Sequence, residues 1–167
     1  MSNYRVRTAE DCDLEEILNL ANAKRLEYEI YQPVFWRVAP DAIAQQTDYI
    51  ARQIADEKVI TLVATLESKV VGFVIGRLVP APPVYNPGGL TCLVDDFVVN
   101  ENDSWETVGV DLLHQVRKAA LSRGAAQLVV GCSTKIQSVT RLRSPNLKTL
   151  HEFFELIQEP KWLQYSK

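Results

Sequence analysis

Residues 93–124 carry the sequence LVDDFVVNENDSWETVGVDLLHQVRKAALSRG, and the patterns in this stretch decide the fold. Residues 93–99 form a β-branched and apolar run, which is typical of a strand. Apolar residues then recur at helical spacing, at Val108, Leu112, Leu113, Val116 and Ala120. Gly124 stands where a helix ends, and residues 125–132 are again almost continuously apolar, as in a strand covered on both faces. Strand, helix and strand predict a parallel crossover unit.

The rest of the chain supplies further strands and helices. Two β-branched runs, residues 59–66 and 69–79, are separated only by Glu67 and Ser68 and predict an antiparallel hairpin. The other predicted elements are a strand at 4–7, a helix that opens at Thr8, an ordered connection at 28–40, a helix capped by Asp41 with Ile43, Ile50 and Ile54 on its core face, a proline-rich loop at 80–89, a helix at 146–158 and a short strand at 162–165.

These elements predict an α/β fold in a single domain that spans residues 1–167. The sheet is expected to be mixed and mostly antiparallel, with one parallel crossover and helices on both faces. At 167 residues and 47% hydrophobic content, the chain can bury a core of its own. Ligands of such sheets favour the carboxyl ends of parallel strands, which lie here near Val99 and Cys132.

The composition argues against two classes of partner. A net charge of -3 gives no general attraction to nucleic acid or to an anionic membrane, and no apolar run reaches the ~18 residues that a membrane span needs. Cys12, Cys92 and Cys132 lack metal-ligand spacing and predict reduced thiols in a cytoplasmic protein. His114 and His151 have no ligand partner at metal spacing, so we expect no metal site.

The central stretch resembles the GNAT superfamily of acyl-CoA-dependent N-acetyltransferases, and the order of elements extends this resemblance over most of the chain. In that family, a strand with two acids, an aromatic or apolar residue and a valine precedes a pyrophosphate loop of the pattern Arg/Gln-x-x-Gly-x-Gly/Ala. Asp95, Asp96, Phe97 and Val99 match the strand. The loop spacing falls without a gap on Ser104, Trp105, Glu106, Thr107, Val108 and Gly109. The resemblance implies a GNAT-like sheet with splayed central strands.

The resemblance also implies that acetyl-CoA is the acyl donor. Its arm would lie along the strand residues Phe97, Val98 and Val99, and its pyrophosphate would bind the backbone amides of residues 104–109, because the start of a helix attracts phosphate. Asn146 matches an asparagine that lies near the pantetheine arm in the family. A helix N-cap explains Asn146 equally well.

The side chains of the loop depart from the family pattern. Ser104 replaces the Arg or Gln and Thr107 replaces the first glycine, whereas Gly109 is kept. Residues 95–111 contain six acids and no Lys or Arg. A capping box, in which Asp103 pairs with Glu106, would occupy amides that a phosphate needs. The backbone path therefore permits cofactor binding and the side chains oppose it, and an indole of Trp105 lodged in this corner would exclude the cofactor.

By the same resemblance, Asp95 or Asp96 is the general base that takes a proton from the attacking amine. A carboxylate can do so through one water if burial raises its pKa. The alternative is that one of the two faces solvent and the other pairs locally. The proton-donating tyrosine of the family falls near Phe153 or Phe154, and neither can donate a proton. The substitutes, each more commonly a packing residue, are Tyr85, Tyr165 and Cys132.

Aromatic residues mark the place where the family binds its acceptor. They are Tyr28, Tyr31, Phe35 and Trp36, together with Tyr85 in the loop at 80–89. They predict an aromatic-walled pocket for a small-molecule or peptide amine. A hydrophobic flap over the core is the alternative interpretation of the same residues.

Two functions follow. The first is an N-acetyltransferase that moves an acetyl group from acetyl-CoA to a primary amine by direct attack. The second is a catalytically inactive GNAT-fold protein that has lost cofactor binding and uses the aromatic groove to bind a partner. A homodimer is also compatible with the sequence, because strand edges and the final residues 162–165 could pair with a second copy.

Overall fold

A mixed sheet with helices on both faces forms the part of the chain that the structure describes. This computed structural model describes residues 4–31, 33–81, 83–100 and 105–130. The elements in these ranges are β1 (Arg5–Thr8), a 3-10 turn (Asp11–Asp13), α1 (Leu14–Tyr31), α2 (Ala42–Ala55), β2 (Val59–Leu66), β3 (Lys69–Val79), β4 (Leu90–Val99), a π-helical turn (Trp105–Gly109), α3 (Val110–Ser122) and β5 (Ala125–Val130).

Several predictions concern residues outside these ranges. They involve Asp103 and Ser104 at the helix start, every element after residue 130, and the side chains of Cys132, Asn146, Phe153, Phe154 and Tyr165. The single domain over residues 1–167 also stays a prediction.

The sheet has its strands in the order β1-β2-β3-β4-β5. Strands β1 to β4 each pair antiparallel with the next strand in sequence. At the other edge, the amide of Leu90 at the start of β4 donates a 3.1 Å hydrogen bond to the carbonyl of Gly124, just before β5. The two strands therefore begin at the same edge and run in the same direction, with α3 as the crossover. The predicted mixed, mostly antiparallel sheet with one parallel crossover is confirmed.

The β2–β3 hairpin has the bounds that the sequence predicts. Its two turn residues, Glu67 and Ser68, have φ angles of 49° and 70°. Positive φ at both central residues defines the turn whose twist matches a two-residue hairpin. The chain accepts this conformation without a glycine because the pairing on either side of the turn fixes the register.

Helices pack on both faces of the sheet. Ile17 of α1 and Ile50 of α2 are fully buried in one core cluster with Phe73, Ile75 and Val98 of the sheet. On the other face, α3 lies close against β3, where a Cβ at Gly72 would come within 3.2 Å of Leu112 Cδ1. Gly72 therefore permits the close approach of helix and strand that seals this second core.

The start of α1 and the core face of α2 differ from the predictions. Thr8 ends β1 instead of opening a helix, because Arg7 donates hydrogen bonds of 2.6 and 2.8 Å to the two carboxylate oxygens of Asp13 and holds the following turn in place. In α2, Ile43 is 67% exposed whereas Gln46 is buried. The helix therefore turns a polar side chain inward one turn before Ile50.

Two expected absences can be checked only within the described ranges. None of the helices there combines the length and apolar character needed to cross a membrane. The same ranges contain no group of three or more His, Cys, Asp or Glu side chains arranged to hold a metal ion. Cys12 is an exposed free thiol and Cys92 a buried one.

Candidate active site

A β-bulge in β4 brings two adjacent carboxylates to one face of the sheet. Ile75 pairs with Asp96 and the next residue, Gly76, pairs with Val94, so Asp95 is an extra residue on β4. Side chains normally alternate between the two faces of a strand, and a bulge interrupts that alternation. Asp96 shares the face of Ile75, which belongs to the core under α1 and α2. Asp95 reaches the same side, where its carboxylate contacts α2.

Asp95 is held by two partners. The hydroxyl of Tyr49 on α2 donates a short hydrogen bond to Asp95 Oδ2, and Arg77 Nη2 on β3 lies 3.3 Å from Oδ1. Burial raises the pKa of Tyr49, and the adjacent carboxylate raises it further, so the phenol keeps its proton and remains a donor. Asp95 therefore joins α2, β3 and β4 at the bulge.

Asp96 has a different environment. Burial raises the pKa of its carboxyl to about 6, although the positive charge of Arg25 lowers it, and the neighbouring Asp95 raises it further. Among the described residues, no side chain or amide donates a hydrogen bond to Asp96. The pair thus consists of one anchored carboxylate and one carboxylate whose pKa lies close to neutral pH, as proton transfer requires.

The predicted aromatic cluster extends outward from Asp96. The Tyr28 ring lies 5.3 Å from the Trp36 ring, and Phe35 meets Trp36 edge to face at 4.7 Å between centroids. Burial raises the pKa of Tyr28, and so does the charge of Asp96, which places this phenol near the carboxylate. Phe35 is 75% exposed and Trp36 44%. These two rings form a wall open to solvent, which argues against a flap closed over the core.

The other two predicted aromatic residues are Tyr31 and Tyr85. Tyr31 is the last residue of α1, so α1 continues into the stretch expected to be a connection. Tyr85 is 70% exposed in the loop between β3 and β4. No ring contact joins Tyr85 to the cluster within the described part of the chain.

The start of the α3 region is covered on one side by an indole. Trp105 packs edge to face on Phe97 with 4.9 Å between ring centroids. A Cβ at Gly109 would lie 2.8 Å from Trp105 Cε3 and 3.5 Å from Val99 Cγ2. The kept glycine therefore accommodates the tryptophan ring of the same turn.

The fit of a CoA molecule to this corner is consequently partial. Val98 and Val99 have buried side chains, so only their backbone could contact a ligand. Glu106 and Thr107 are exposed, and Val108 is buried. The Trp105 ring occupies part of the space beside the backbone of this turn. The turn is also π-helical, a geometry often found at functional sites.

The sequence did not predict three residues that lie near Asp95 and Asp96 in the structure. They are Arg25, Tyr49 and Arg77. Arg25 and Tyr49 lie on helices 71 and 46 residues before Asp96 and Asp95, respectively, so no local motif connects them. Helical spacing gave no signal for Tyr49, because the residues one turn before and after it, such as Gln46 and Arg52, are polar.

No model of a known protein family matches the sequence, and no curated protein sequence matches it. Solved structures do match. A predicted acetyltransferase with acetyl-CoA from Clostridium acetobutylicum has a TM-score of 0.62 over 80% of this chain and 82% of its own, at 15% identity. A ribosomal-protein-alanine N-acetyltransferase from Brucella melitensis biovar Abortus 2308 has a TM-score of 0.57 over 81% and 84%, at 20% identity.

A transcriptional regulator from Bacillus halodurans C-125 matches as well, with a TM-score of 0.61 over 83% of this chain and 88% of its own, at 17% identity. Identities of this size show the fold and leave the activity to be argued from the site. The strand order, the parallel crossover and these structural matches lead to one conclusion: the chain has the fold of the GNAT N-acetyltransferases.

Proposed function

We propose that this protein is an N-acetyltransferase that transfers an acetyl group from acetyl-CoA to a primary amine, with Asp96 as the general base. The observation that carries the proposal is the position of Asp96 beside the bulge, on the sheet face that α1 and α2 cover, where burial raises the pKa of its carboxyl to about 6. A carboxylate with that pKa is mostly ionised at neutral pH and still basic enough to accept a proton.

The donor assignment draws on the fold and on the backbone at the helix start. One of the structures with this fold is a predicted acetyltransferase with acetyl-CoA, from Clostridium acetobutylicum. In this chain, the backbone of Phe97, Val98 and Val99 and the turn at Trp105–Gly109 are the segments that would hold it. When bound, acetyl-CoA would supply the thioester carbonyl that an amine attacks, with CoA as the leaving group of the broken C–S bond.

The remaining chemistry falls to the chain itself. Asp96 accepts the proton that the amine loses as it attacks, directly or through one water. Asp95 keeps the bulge in place through Tyr49 and Arg77 and adds a negative charge that raises the pKa of Asp96. The rings of Tyr28 and Trp36 offer an apolar surface to one side of the acceptor.

Isothermal titration with acetyl-CoA tests the donor, and release of free CoA with a panel of primary amines tests the reaction. We expect saturable binding at micromolar levels and CoA release that depends on both the amine and Asp96. An absence of heat at millimolar acetyl-CoA, with no CoA release, would exclude the enzyme.

A non-enzymatic binding protein of the same fold is the second candidate. The observation that favours it is the Trp105 ring over Gly109, in a segment rich in acids. Acetyl-CoA should then leave the melting temperature unchanged, whereas an enzyme that binds the donor should be stabilised by it. The cytoplasmic location and the homodimer stay predictions of the sequence.

A further inference from the structure

Arg25 on α1 is partly buried, and its positive charge acts on Asp96 of the candidate site. It lies on α1 one turn after the buried Ala21 and one turn before Tyr28, so it belongs to the side of the helix that faces the sheet. Its Nη1 atom is buried and has no hydrogen-bond partner among the described residues. A charged donor left in this condition is costly for a folded protein unless something pairs with it.

Arg25 and Asp96 act on each other across a gap. The charge of Arg25 is felt by the Asp96 carboxyl, yet the ion pairs of the described residues join Arg7 to Asp13, Lys24 to Glu27 and Arg77 to Asp95, and none joins Arg25 to Asp96. Opposite charges therefore face one site without closing on each other. Among the described residues, Tyr28, Tyr49 and Asp95 are the other titratable groups whose charges couple to Asp96.

Gln46 adds a second buried group with unused hydrogen-bonding capacity. Its side chain is 4% exposed, and neither Nε2 nor Oε1 has a partner among the described residues. The direction of α2 relates it to the carboxylates. The carbonyl of Gln53 accepts a hydrogen bond from Thr61 on β2, and Tyr49 reaches Asp95 on β4. Gln46 lies one turn before Tyr49 on the same helix.

These groups discriminate between classes of amine. A simple ammonium next to Asp96 would add a second positive charge near Arg25 and would leave Nη1 unpaired. A molecule that also carries a carboxylate would pair with the guanidinium and cancel that repulsion. The amide of Gln46 can donate to a carboxylate and accept from an ammonium group.

We propose that the acceptor is a zwitterion of the α-amino acid class, whose amine lies at Asp96 and whose carboxylate binds Arg25. This proposal rests on the proposed acetyl transfer and names its substrate class. The rings of Tyr28 and Trp36 border the same site and favour a large apolar or aromatic side chain on the amino acid.

Three small probes of one shape test the assignment. L-phenylalanine carries both charged groups, phenethylamine carries only the amine, and 3-phenylpropionate carries only the carboxylate. Titration of each into the full chain without acetyl-CoA measures binding apart from turnover. We expect L-phenylalanine to bind about tenfold or more tighter than phenethylamine, because a charged hydrogen bond at a buried site has that effect. Equal affinities in the wild-type protein would overturn the proposal.

The Arg25→Gln variant then assigns the carboxylate site. It should weaken L-phenylalanine and 3-phenylpropionate about tenfold or more and leave phenethylamine unchanged or tighter. Arg52→Gln is the matched control, because Arg52 is an exposed arginine of α2 whose guanidinium donates to the Asp48 carbonyl. An equal loss for all three probes in Arg25→Gln would contradict carboxylate recognition. Arg25→Lys keeps the charge and should restore part of the preference if the variant with Gln is unstable.

Turnover separates this proposal from the proposed function. If CoA is released with phenethylamine as readily as with L-phenylalanine, the acetyltransferase assignment stands and the zwitterion assignment fails. If neither amine releases CoA but the wild-type protein prefers L-phenylalanine in an Arg25-dependent manner, the zwitterion site stands and the transferase assignment fails.

Discussion

The indole ring of Trp105 lies over the α carbon of Gly109, so close that a Cβ at position 109 would meet Trp105 Cε3 at 2.8 Å. The pairing joins two positions that the GNAT resemblance assigns to the cofactor. A glycine is needed at position 109 because a side chain there would clash with the Trp105 ring. The ring also reduces the space through which a phosphate could approach the helix start.

Removing that ring should open the helix start. We expect Trp105→Gly to tighten CoA binding several-fold in calorimetric titration, because more of the turn then faces an anion. The control ligand is the acetyl thioester of N-acetylcysteamine, which has the thioester but no phosphate and should gain nothing. Unchanged CoA affinity in Trp105→Gly would mean that the phosphates bind elsewhere.

The same contact predicts a coupled stability change. Gly109→Ala should lower the free energy of unfolding by about 1–3 kcal/mol, because the new methyl overpacks against the ring. In a Trp105→Ala background, the same substitution should cost much less, since the ring is gone and a helix favours alanine over glycine. A denaturant double-mutant cycle measures the coupling, and additive effects would contradict the contact.

Asp96 should control the pH dependence of the reaction. The base must be ionised, so kcat/KM should rise with pH through about 6 and then level off, if the acceptor amine titrates far from that value. Asp96→Asn should remove this limb and lower kcat by about 10²–10⁴-fold. Asp48→Asn, an exposed aspartate of α2, is the control and should leave the profile unchanged. A limb that survives in Asp96→Asn would assign the base to another group.

Asp96 should also reduce stability at neutral pH. Its pKa is about 6 in the folded protein against an ordinary value of 3.8, so the folded state holds the proton more tightly. Stability should therefore fall as pH rises from about 4 to 6 and stay low above that range. Asp96→Asn should raise the free energy of unfolding at pH 8 by about 1–3 kcal/mol. Denaturant titrations at pH 4 and pH 8 test this, and no gain at pH 8 would contradict the buried charge.

Asp95 should raise the pKa of Asp96 without acting as the base itself. Asp95→Asn removes a negative charge that raises the pKa of Asp96, so the acidic limb of kcat/KM should move to lower pH. The variant should keep most of its activity, because the amide still accepts from Tyr49. If the acidic limb of kcat/KM disappeared in Asp95→Asn and survived in Asp96→Asn, Asp95 would be the base and Asp96 the residue that shifts its pKa.

Several features of the fold were predictable because local chemistry decides them. Gly124 has a φ of +84° at the end of α3, as its type and position predict. The β2–β3 hairpin has the predicted bounds, because two β-branched runs joined by two residues leave few other arrangements. The bounds of β4 were predicted less well, since it begins at Leu90 and the sequence indicated residue 93.

The site itself depends on contacts between distant segments. The sequence determined that Asp95 and Asp96 would lie within a strand, because they stand inside the β-branched and apolar run of residues 93–99. Only the tertiary structure decided that both face α1 and α2, because a bulge arises from pairing with β3. It also decided that Tyr49 anchors one carboxylate and that Gln46 is buried while Ile43 is exposed. Long-range packing selects which helix side turns inward, and periodicity alone leaves that choice open.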